Sequence, residues 1–308
     1  MSAKQLKMVA LGLAVLLLLW GGSELFSRGS DTVTGSLAFP PLAPADVDSI
    51  ALLHGSDSVV LVKQSATAWT VNGHRAVAAD VTALLQALKD TVRPEVVAQD
   101  VSSFARLQVD SAGGHWLWVF RGGKPVVQVI VGGRGSDYQS VYLRRPGDAR
   151  VYLWRGTLVG MAERRADDWR DKRIAALVPD SISALDVERG EDRFAVRRSA
   201  RTWTINGRAA DSVAVHRYLD RLKSIAAAGF ATPKEVDSTK TLRPQRRLSV
   251  RGSGGLLLSL TFDSTATGFV VRHLDGVGGE GTTVYRMNTW DVDGVTPASR
   301  SLEPAKPK

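Results

Sequence analysis

Two stretches of the sequence decide the fold because they are nearly the same: SVVLVKQSATAWTVNG at residues 58–73 and DRFAVRRSARTWTING at residues 192–207. They lie 134 residues apart and align without a gap, so that Val62 matches Val196. Each stretch ends in Asn-Gly, a dipeptide that favours the tight turn of a β-hairpin. The sequence therefore predicts a tandem duplication of one domain.

An amphipathic helix is predicted after each hairpin. The first begins near Asp80 and the second near Asp211, and either aspartate can cap the N-terminus of its helix. Apolar residues recur in both at i, i+3, i+4 and i+7, the spacing of one buried helix face. These residues are Val81, Leu84, Leu85 and Leu88 in the first copy and Val215, Tyr218, Leu219 and Leu222 in the second.

The rest of each copy consists of short β-type runs separated by turn residues. The predicted strands are 106–110, 115–121, 125–131, 138–144 and 150–154 in the first copy and 246–251, 256–262, 268–273 and 283–287 in the second. Residues 157–173 are predicted to form a helix and then a linker. The order of hairpin, helix and antiparallel meander predicts an α+β class. We expect the first repeat over residues 31–165, the second over 166–300 and a disordered tail over 301–308.

The first 30 residues predict a transmembrane helix. Lys4 and Lys7 precede an apolar run of 13 residues from Met8 to Trp20, whereas a full membrane span needs about 20. The run is short for an anchor and long enough for a cleaved signal peptide, so both interpretations stay open. Both place the lysines in the cytoplasm and the body of the chain in the periplasm. We expect an uncleaved, single-pass anchor in the inner membrane.

The excess of basic residues indicates a candidate surface for acidic partners in the second copy. The 308 residues include 40 Lys+Arg and 31 Asp+Glu, which give a net charge of +9. The candidate ligand-binding arginines are Arg193, Arg197, Arg198 and Arg201. Because Arg193 and Arg197 alternate with Phe194 and Val196, they should lie on the outer face of a strand. That face is either simply solvated or binds anionic lipid, acidic envelope polymer or an acidic protein, and nucleic acid is not expected.

No motif predicts catalysis, a metal or a cofactor. The chain has no cysteine, which excludes disulfides, thiolate metal sites and cysteine nucleophiles. Residues 276–281 match G-x-G-x-x-G, but a strand pattern follows where a dinucleotide site needs a helix. The five histidines lack the spacing of a ligand pair, and Asp291, Asp293 and Gly294 fit a calcium loop poorly. We expect a protein that is not an enzyme; a hydrolase whose residues converge only in three dimensions is the remaining enzymatic alternative.

Tryptophans mark both structural and candidate binding positions. Trp69 and Trp203 precede the Asn-Gly turns and are predicted to pack in the core. Trp116 and Trp118 share one face of a predicted strand, which makes them candidates for an exposed aromatic patch that binds a ligand. The predicted turn residues, which need positive φ, are Asn72, Gly73, Asn206 and Gly207.

The order of the motifs resembles one bacterial family. After the first hairpin and helix come VVQVIVGG at 126–133, SVYLRR at 140–145, VYLW at 151–154 and DDWRDKRI at 167–174. This succession resembles the bacterial domain-of-unknown-function family 4340 over roughly residues 45–290. Trp169, Arg170 and Asp171 match its best-marked motif. We expect them to be structural, with Arg170 and Asp171 fixing the junction between the copies.

The resemblance implies a membrane-anchored envelope protein. Such proteins are often associated with an ABC-transporter permease and a large anchored subunit of the gliding-motility auxiliary type, and the family brings no catalytic residues. We therefore expect a non-enzymatic accessory or scaffold subunit of an ABC-type export or motility assembly. The alternative is an envelope module that binds an anionic or glycan ligand through the basic second repeat or through the tryptophan pair at 116 and 118.

Overall fold

The computed structural model describes residues 37–89, 94–158, 160–200, 202–240, 243–274 and 283–304. The predicted N-terminal anchor, the glycine-rich run 276–281 and Arg201 lie outside these residues. The chain divides into two compact units between Asp171 and Lys172. No helix in the described ranges has the length and hydropathy of a membrane span.

The first unit is built on a nine-stranded antiparallel sheet. Its strands are β1 (Ser49–His54), β2 (Asp57–Lys63), β3 (Trp69–Val71), β4 (His74–Ala76), β5 (Glu95–Ala98), β6 (His115–Arg121), β7 (Lys124–Arg134), β8 (Ser140–Arg144) and β9 (Val151–Arg155). They pair in the order β4-β3-β2-β1-β6-β7-β8-β9-β5. Helix α1 (Ala78–Ala87) follows β4, and the short helix α2 (Ala166–Trp169) lies near the end of the unit.

Helix α1 covers one face of this sheet, which we call the inner face. Its buried residues Val81, Leu84 and Leu85 share a hydrophobic core with alternate strand residues such as Leu61 and Leu117. The indole Nε1 of a buried β9 tryptophan, residue 154, donates a hydrogen bond to the last carbonyl of the helix at 3.0 Å. Alternation along the strands directs the remaining side chains to the opposite, outer face.

The second unit has a sheet of the same strand number and order. The strands of the whole unit are β10 (Arg173–Ala175), β11 (Ile182–Arg189), β12 (Asp192–Ser199), β13 (Thr202–Ile205), β14 (Arg208–Ala209), β15 (Ile225–Ala226), β16 (Gly229–Phe230), β17 (Arg246–Gly252), β18 (Gly255–Thr265), β19 (Gly268–His273) and β20 (Tyr285–Met287). The order is β14-β13-β12-β11-β17-β18-β19-β20-β16, while β10 and β15 form a separate pair. The helices are α3 (Ser212–Leu222), α4 (Pro233–Thr239) and α5 (Thr289–Val295).

Both predicted amphipathic helices are present, but only one has the predicted cap. The Asp211 carboxylate accepts hydrogen bonds from the first-turn N–H groups of α3. The cap predicted at Asp80 is wrong, because α1 begins after Val77 and Asp80 lies within the first turn. There its carboxylate forms an ion pair with Arg164 at 3.3 Å, and a negative charge still favours that end of a helix.

The ungapped alignment of the two hairpins is wrong in its first strand. Leu61 pairs with Val71, and Val196 pairs with Ile205, so the counterpart of Val196 is Leu61 and not Val62. Five residues separate the paired Lys63 and Trp69 in the first hairpin, whereas four separate the equivalent pair Arg198 and Trp203 in the second. The offset of 134 therefore holds for the tryptophans but not for the strand that precedes the loop.

Three further predictions are wrong. Residues 106–110 form turns and not a strand, because Gln108 adopts a left-handed backbone with φ of 56°. The helix predicted within 157–173 is reduced to α2, since Gly160 has a φ of 80° and interrupts it. The prediction of disorder is wrong for the first residues of the tail, because Leu302 is buried and its carbonyl accepts the backbone N–H of Asp211.

Candidate binding surfaces

The repeated Asn-Gly turns are structural in both units. Four residues share the left-handed backbone that such a turn requires: Asn72, Gly73, Asn206 and Gly207. The side-chain oxygen of Asn72 accepts the backbone N–H of Val60 at 2.8 Å. The side-chain oxygen of Asn206 accepts the backbone N–H of Ala195 at 2.9 Å. Each asparagine therefore both forms the turn and ties it to the preceding strand.

The tryptophans of the recurring motifs are buried. Trp69 and Trp203 are 3% and 4% exposed and belong to the cores of their units. Trp169 is fully buried, and its carbonyl accepts the N–H of the residue that precedes α1. Asp171 is bound to β4 by an ion pair with the Nε of the β4 arginine at 3.1 Å, and Arg170 pairs with Asp167 at 2.9 Å. These contacts attach the last residues of the first unit to its own sheet.

Trp116 and Trp118 lie together on the outer face of β6. Their rings stack with centroids 5.3 Å apart, and the intervening Leu117 is buried on the inner face. Trp116 also packs against a small outer-face cluster that includes Leu107 and Val109. Both indoles are half-buried.

On three equivalent strands, the outer face is mainly apolar in the first sheet and mainly charged in the second. In β1, β2 and β6 it carries Ala51, Leu53, Val60, Val62, Trp116, Trp118 and Phe120. In the strands that take the same places, β11, β12 and β17, it carries Asp186, Glu188, Arg193, Arg197, Arg247 and Arg251. The same topology therefore presents two surfaces of opposite character.

The acidic residues of β11 lie between two rows of arginines. Arg197 on β12 donates to Asp186 at 2.5 Å, and Arg251 on β17 also pairs with Asp186. Glu188 stands opposite Arg193 on one side and an arginine of β17 on the other. Two carboxylates therefore offset part of the positive charge that the sequence places on this face.

The candidate arginines do not form a single cluster. Arg193 and Arg197 lie on the outer face, as the alternation predicts. Arg198 instead lies at the end of β12, where its guanidinium donates to the carbonyl of Asp180 at 3.0 Å. Its guanidinium carbon is 5.9 Å from the ring centroid of Trp203.

In each sheet, an arginine on the outer face contacts a segment that packs over that face: residues 99–114 in the first unit and α4 in the second. In the first unit, Arg144 on β8 donates its Nε to the carbonyl of Val109 at 2.8 Å and lies 4.1 Å from the ring centroid of Phe104. In the second unit, Arg272 on β19 donates to Thr239 of α4 at 2.6 Å and forms an ion pair with Asp263 at 2.7 Å. Burial raises the pKa of Asp263, and the charge of Arg272 opposes that shift.

A groove between α3 and α5 was not predicted from the sequence. Its volume is about 330 Å³, and Trp290 beside it is 70% exposed. Arg217 and Arg221 line it from α3, one helical turn apart. Their spacing on the polar side of α3 was visible in the sequence, whereas placing Trp290 opposite them required the position of α5.

Two stacked histidines form a titratable pair in the first unit. His54 and His115 stack with ring centroids 4.0 Å apart. Burial, and then the charge of His54, lower the pKa of His115. In the part of the chain that the structure describes, no three histidine or acidic side chains are grouped to hold a metal ion.

Comparison with known proteins places the chain in a family. The family described as a domain of unknown function, DUF4340, matches residues 69–245, from the first tryptophan motif to the start of β17. No curated protein and no solved structure matches the chain. Because the family match covers more than half of the sequence, the chain belongs to the DUF4340 family.

Proposed function

We propose that this protein is a non-enzymatic accessory subunit of an ABC-type export or motility assembly. In this proposal its first 30 residues anchor it in the inner membrane, and its two units bind partner proteins in the periplasm. The apolar run that begins at Met8 supports the anchor, and the resemblance of the chain to its family supports the assembly.

The observation that carries the proposal is the apolar outer face of the first sheet. Trp116, Trp118 and Phe120 form what we call the aromatic strip on β6, and all three are partly exposed. Aromatic side chains supply large contact areas at protein interfaces and dominate their energetics. A partly exposed aromatic strip of this kind is the type of surface that a partner protein covers.

We also propose that the two units arose by duplication. Besides the shared strand order, each unit repeats one closing contact. The residue before the main helix donates its backbone N–H to the carbonyl of a buried residue near the end of the unit: Val77 to Trp169, and Asp211 to Leu302, both at 2.9 Å. The interiors have thus kept their contacts, whereas the outer faces have diverged into different binding surfaces.

Photo-crosslinking from the aromatic strip tests this proposal. Benzoylphenylalanine would replace Trp118 in the full-length chain expressed in its own membrane, and would replace Ser249 in a matched control. Trp118 stands beside Ala51 of β1, and Ser249 stands beside Asp186 of β11, so the two positions are equivalent in the two sheets. We expect an adduct with a transporter permease from position 118 alone. Absence of that adduct, or an equal adduct from position 249, would contradict the proposal.

A second candidate function is binding of an anionic envelope ligand by the outer face of the second sheet. The four outer-face arginines exceed the two carboxylates between them. Binding of the full-length chain to polygalacturonate should then weaken steeply with salt. It should also weaken in Arg193→Ala. Salt-insensitive glycan binding that is lost in Trp118→Ala would assign the ligand to the aromatic strip instead.

A further inference from the structure

The groove between α3 and α5 combines two arginines with an exposed tryptophan. Arg217 and Arg221 project from the same side of α3, and Trp290 projects from α5. The guanidinium carbon of Arg221 lies 4.9 Å from the ring centroid of Trp290. A second cavity of about 260 Å³ also has Arg221 in its wall, so this side chain stands between two depressions of the surface.

The position of Arg221 depends on a glycine in the neighbouring helix. A Cβ at Gly294 of α5 would lie 2.6 Å from Nη1 of Arg221. Glycine is poorly suited to a helix interior, yet here it leaves the space that the guanidinium occupies. The arginine is therefore packed against α5 and beside the indole, where its side chain lines the groove.

The groove has a surplus of positive charge. Within the described residues, neither Arg217 nor Arg221 forms an ion pair. The acidic side chain in the wall, Asp293, is already bound by Arg189 at 3.1 Å and by Arg246 at 2.6 Å. Arginine binds carboxylates through two parallel hydrogen bonds. An acidic group is thus the chemistry that complements this wall.

The remaining wall favours a peptide over a sugar. The hydroxyl of Tyr218 donates to the carbonyl of Val295 at 2.8 Å, and that of Ser301 donates to the carbonyl of Ala298 at 2.6 Å. Both donors are therefore already used, and Leu302 adds an apolar surface. Few groups are left to bind the many hydroxyls of a saccharide, whereas tryptophan and arginine together are typical of protein interfaces.

We propose that this groove binds an acidic segment of a partner protein. A carboxylate of the segment bridges Arg217 and Arg221, and a neighbouring apolar side chain packs on Trp290. In an extended segment successive side chains point to opposite sides, which matches arginines on one wall and an indole on the other. The inference rests on the proposed role as a protein-binding subunit, and it names the chemistry of one partner.

The test follows the fluorine signal of Trp290. The full-length chain, labelled with 5-fluorotryptophan in detergent micelles, is titrated with an acetylated six-residue peptide of alternating glutamate and leucine. Trp290→Phe assigns the signal. We expect a saturable shift of the Trp290 resonance, an affinity at least tenfold weaker in Arg217→Ala/Arg221→Ala, and no change in Lys234→Ala, an exposed substitution on α4 outside the groove. Far-UV circular dichroism checks that the variants are folded.

Several results would overturn the inference. These are no shift with the glutamate peptide, the same shift with a peptide in which lysine replaces glutamate, and a shift that persists in the double arginine variant. A shift with tetragalacturonate and none with the peptide would assign the groove to an anionic glycan. The crosslink from position 118 does not involve this groove, so failure here is distinguishable from failure of the proposed function.

Discussion

Asn72 and Asn206 each stabilise a turn in two ways, through the backbone and through the side chain. Each adopts a φ near 50° that alanine disfavours, and each binds the preceding strand through its side chain. The sequence predicted the turn from the Asn-Gly pair. It did not reveal the side-chain hydrogen bond, because that contact depends on the register of the hairpin and on a loop whose length differs between the copies.

Substitution of Asn72 should separate the two contributions. We expect Asn72→Ala to lower the free energy of unfolding by about 1 to 3 kcal/mol, since it loses the side-chain hydrogen bonds to Val60 and Ser58 and alanine tolerates a left-handed backbone less well than asparagine. Asn72→Gly keeps the backbone freedom and should cost less by about 1 kcal/mol. Urea denaturation followed by tryptophan fluorescence measures both. Equal losses for the two variants would show that the backbone conformation is not a source of stability.

The stacked pair His54 and His115 should make stability depend on pH. Because the pKa of His115 is lowered from 6.5 in the folded chain, the unfolded chain takes up its proton first as pH falls. Glu163 opposes the shift but does not reverse it. The unfolding free energy is therefore expected to be highest above pH 6.5 and to decrease as pH falls below it.

Denaturation midpoints between pH 5 and pH 8 check this expectation. His115→Gln should flatten the dependence, because it removes both the buried imidazole and its repulsion by His54. His216→Gln is the control, since this histidine is exposed on α3. An unchanged slope in His115→Gln would assign the pH dependence to other groups.

At the scale of elements, we expect the segment that packs over each outer face, residues 99–114 or α4, to depend on one arginine. Arg144→Ala removes the hydrogen bond to Val109 and the contact with Phe104. Because Arg144 also donates to the carbonyls of Arg145 and Asp148, we expect a loss of about 2 kcal/mol and faster hydrogen exchange in residues 99–114 and in the turn at 145–148. Arg106→Ala, an exposed substitution in the same segment, should leave exchange unchanged. Unaltered exchange in Arg144→Ala would mean that the apolar cluster alone holds the cover.

The equivalent substitution in the second unit should be more costly. Arg272→Ala leaves the carboxylate of Asp263 buried without its ion pair, which destabilises by about 3 to 5 kcal/mol. Adding Asp263→Ala should restore part of the loss, because no buried charge then remains. Thermal denaturation of the single and double variants measures the coupling, and strictly additive losses would argue against it.

Alternation of apolar and polar residues predicted individual strands well. Contacts between strands that are distant in the sequence were not predictable from it. The strands His115–Arg121 and Gly268–His273 were predicted with their observed ends, since alternation within a strand is local. Residues 106–110 show a similar alternation but form no strand. They pack over the outer face of the first sheet, where Leu107 and Val109 are buried. Likewise, the partial neutralisation of the β12 arginines depends on β11 lying between β12 and β17, which no local pattern indicates.

At the scale of the whole molecule, one sheet order appears twice with different outer faces. The two sheets repeat the positions of the buried Trp69 and Trp203 and of the two turn asparagines. The first sheet presents the aromatic strip, whereas the second presents arginines divided by Asp186 and Glu188. In the proposed function, each sheet offers its own surface to a partner protein.

Affinity purification of the full-length tagged chain from its own membrane tests the central claim most directly. After mild crosslinking and detergent extraction, mass spectrometry identifies both the partners and the N-terminus of the chain. The account predicts recovery of an ABC permease and its ATPase together with a chain that begins at Met1 or Ser2. A chain that begins near Glu24 and recovers no transporter component would contradict it.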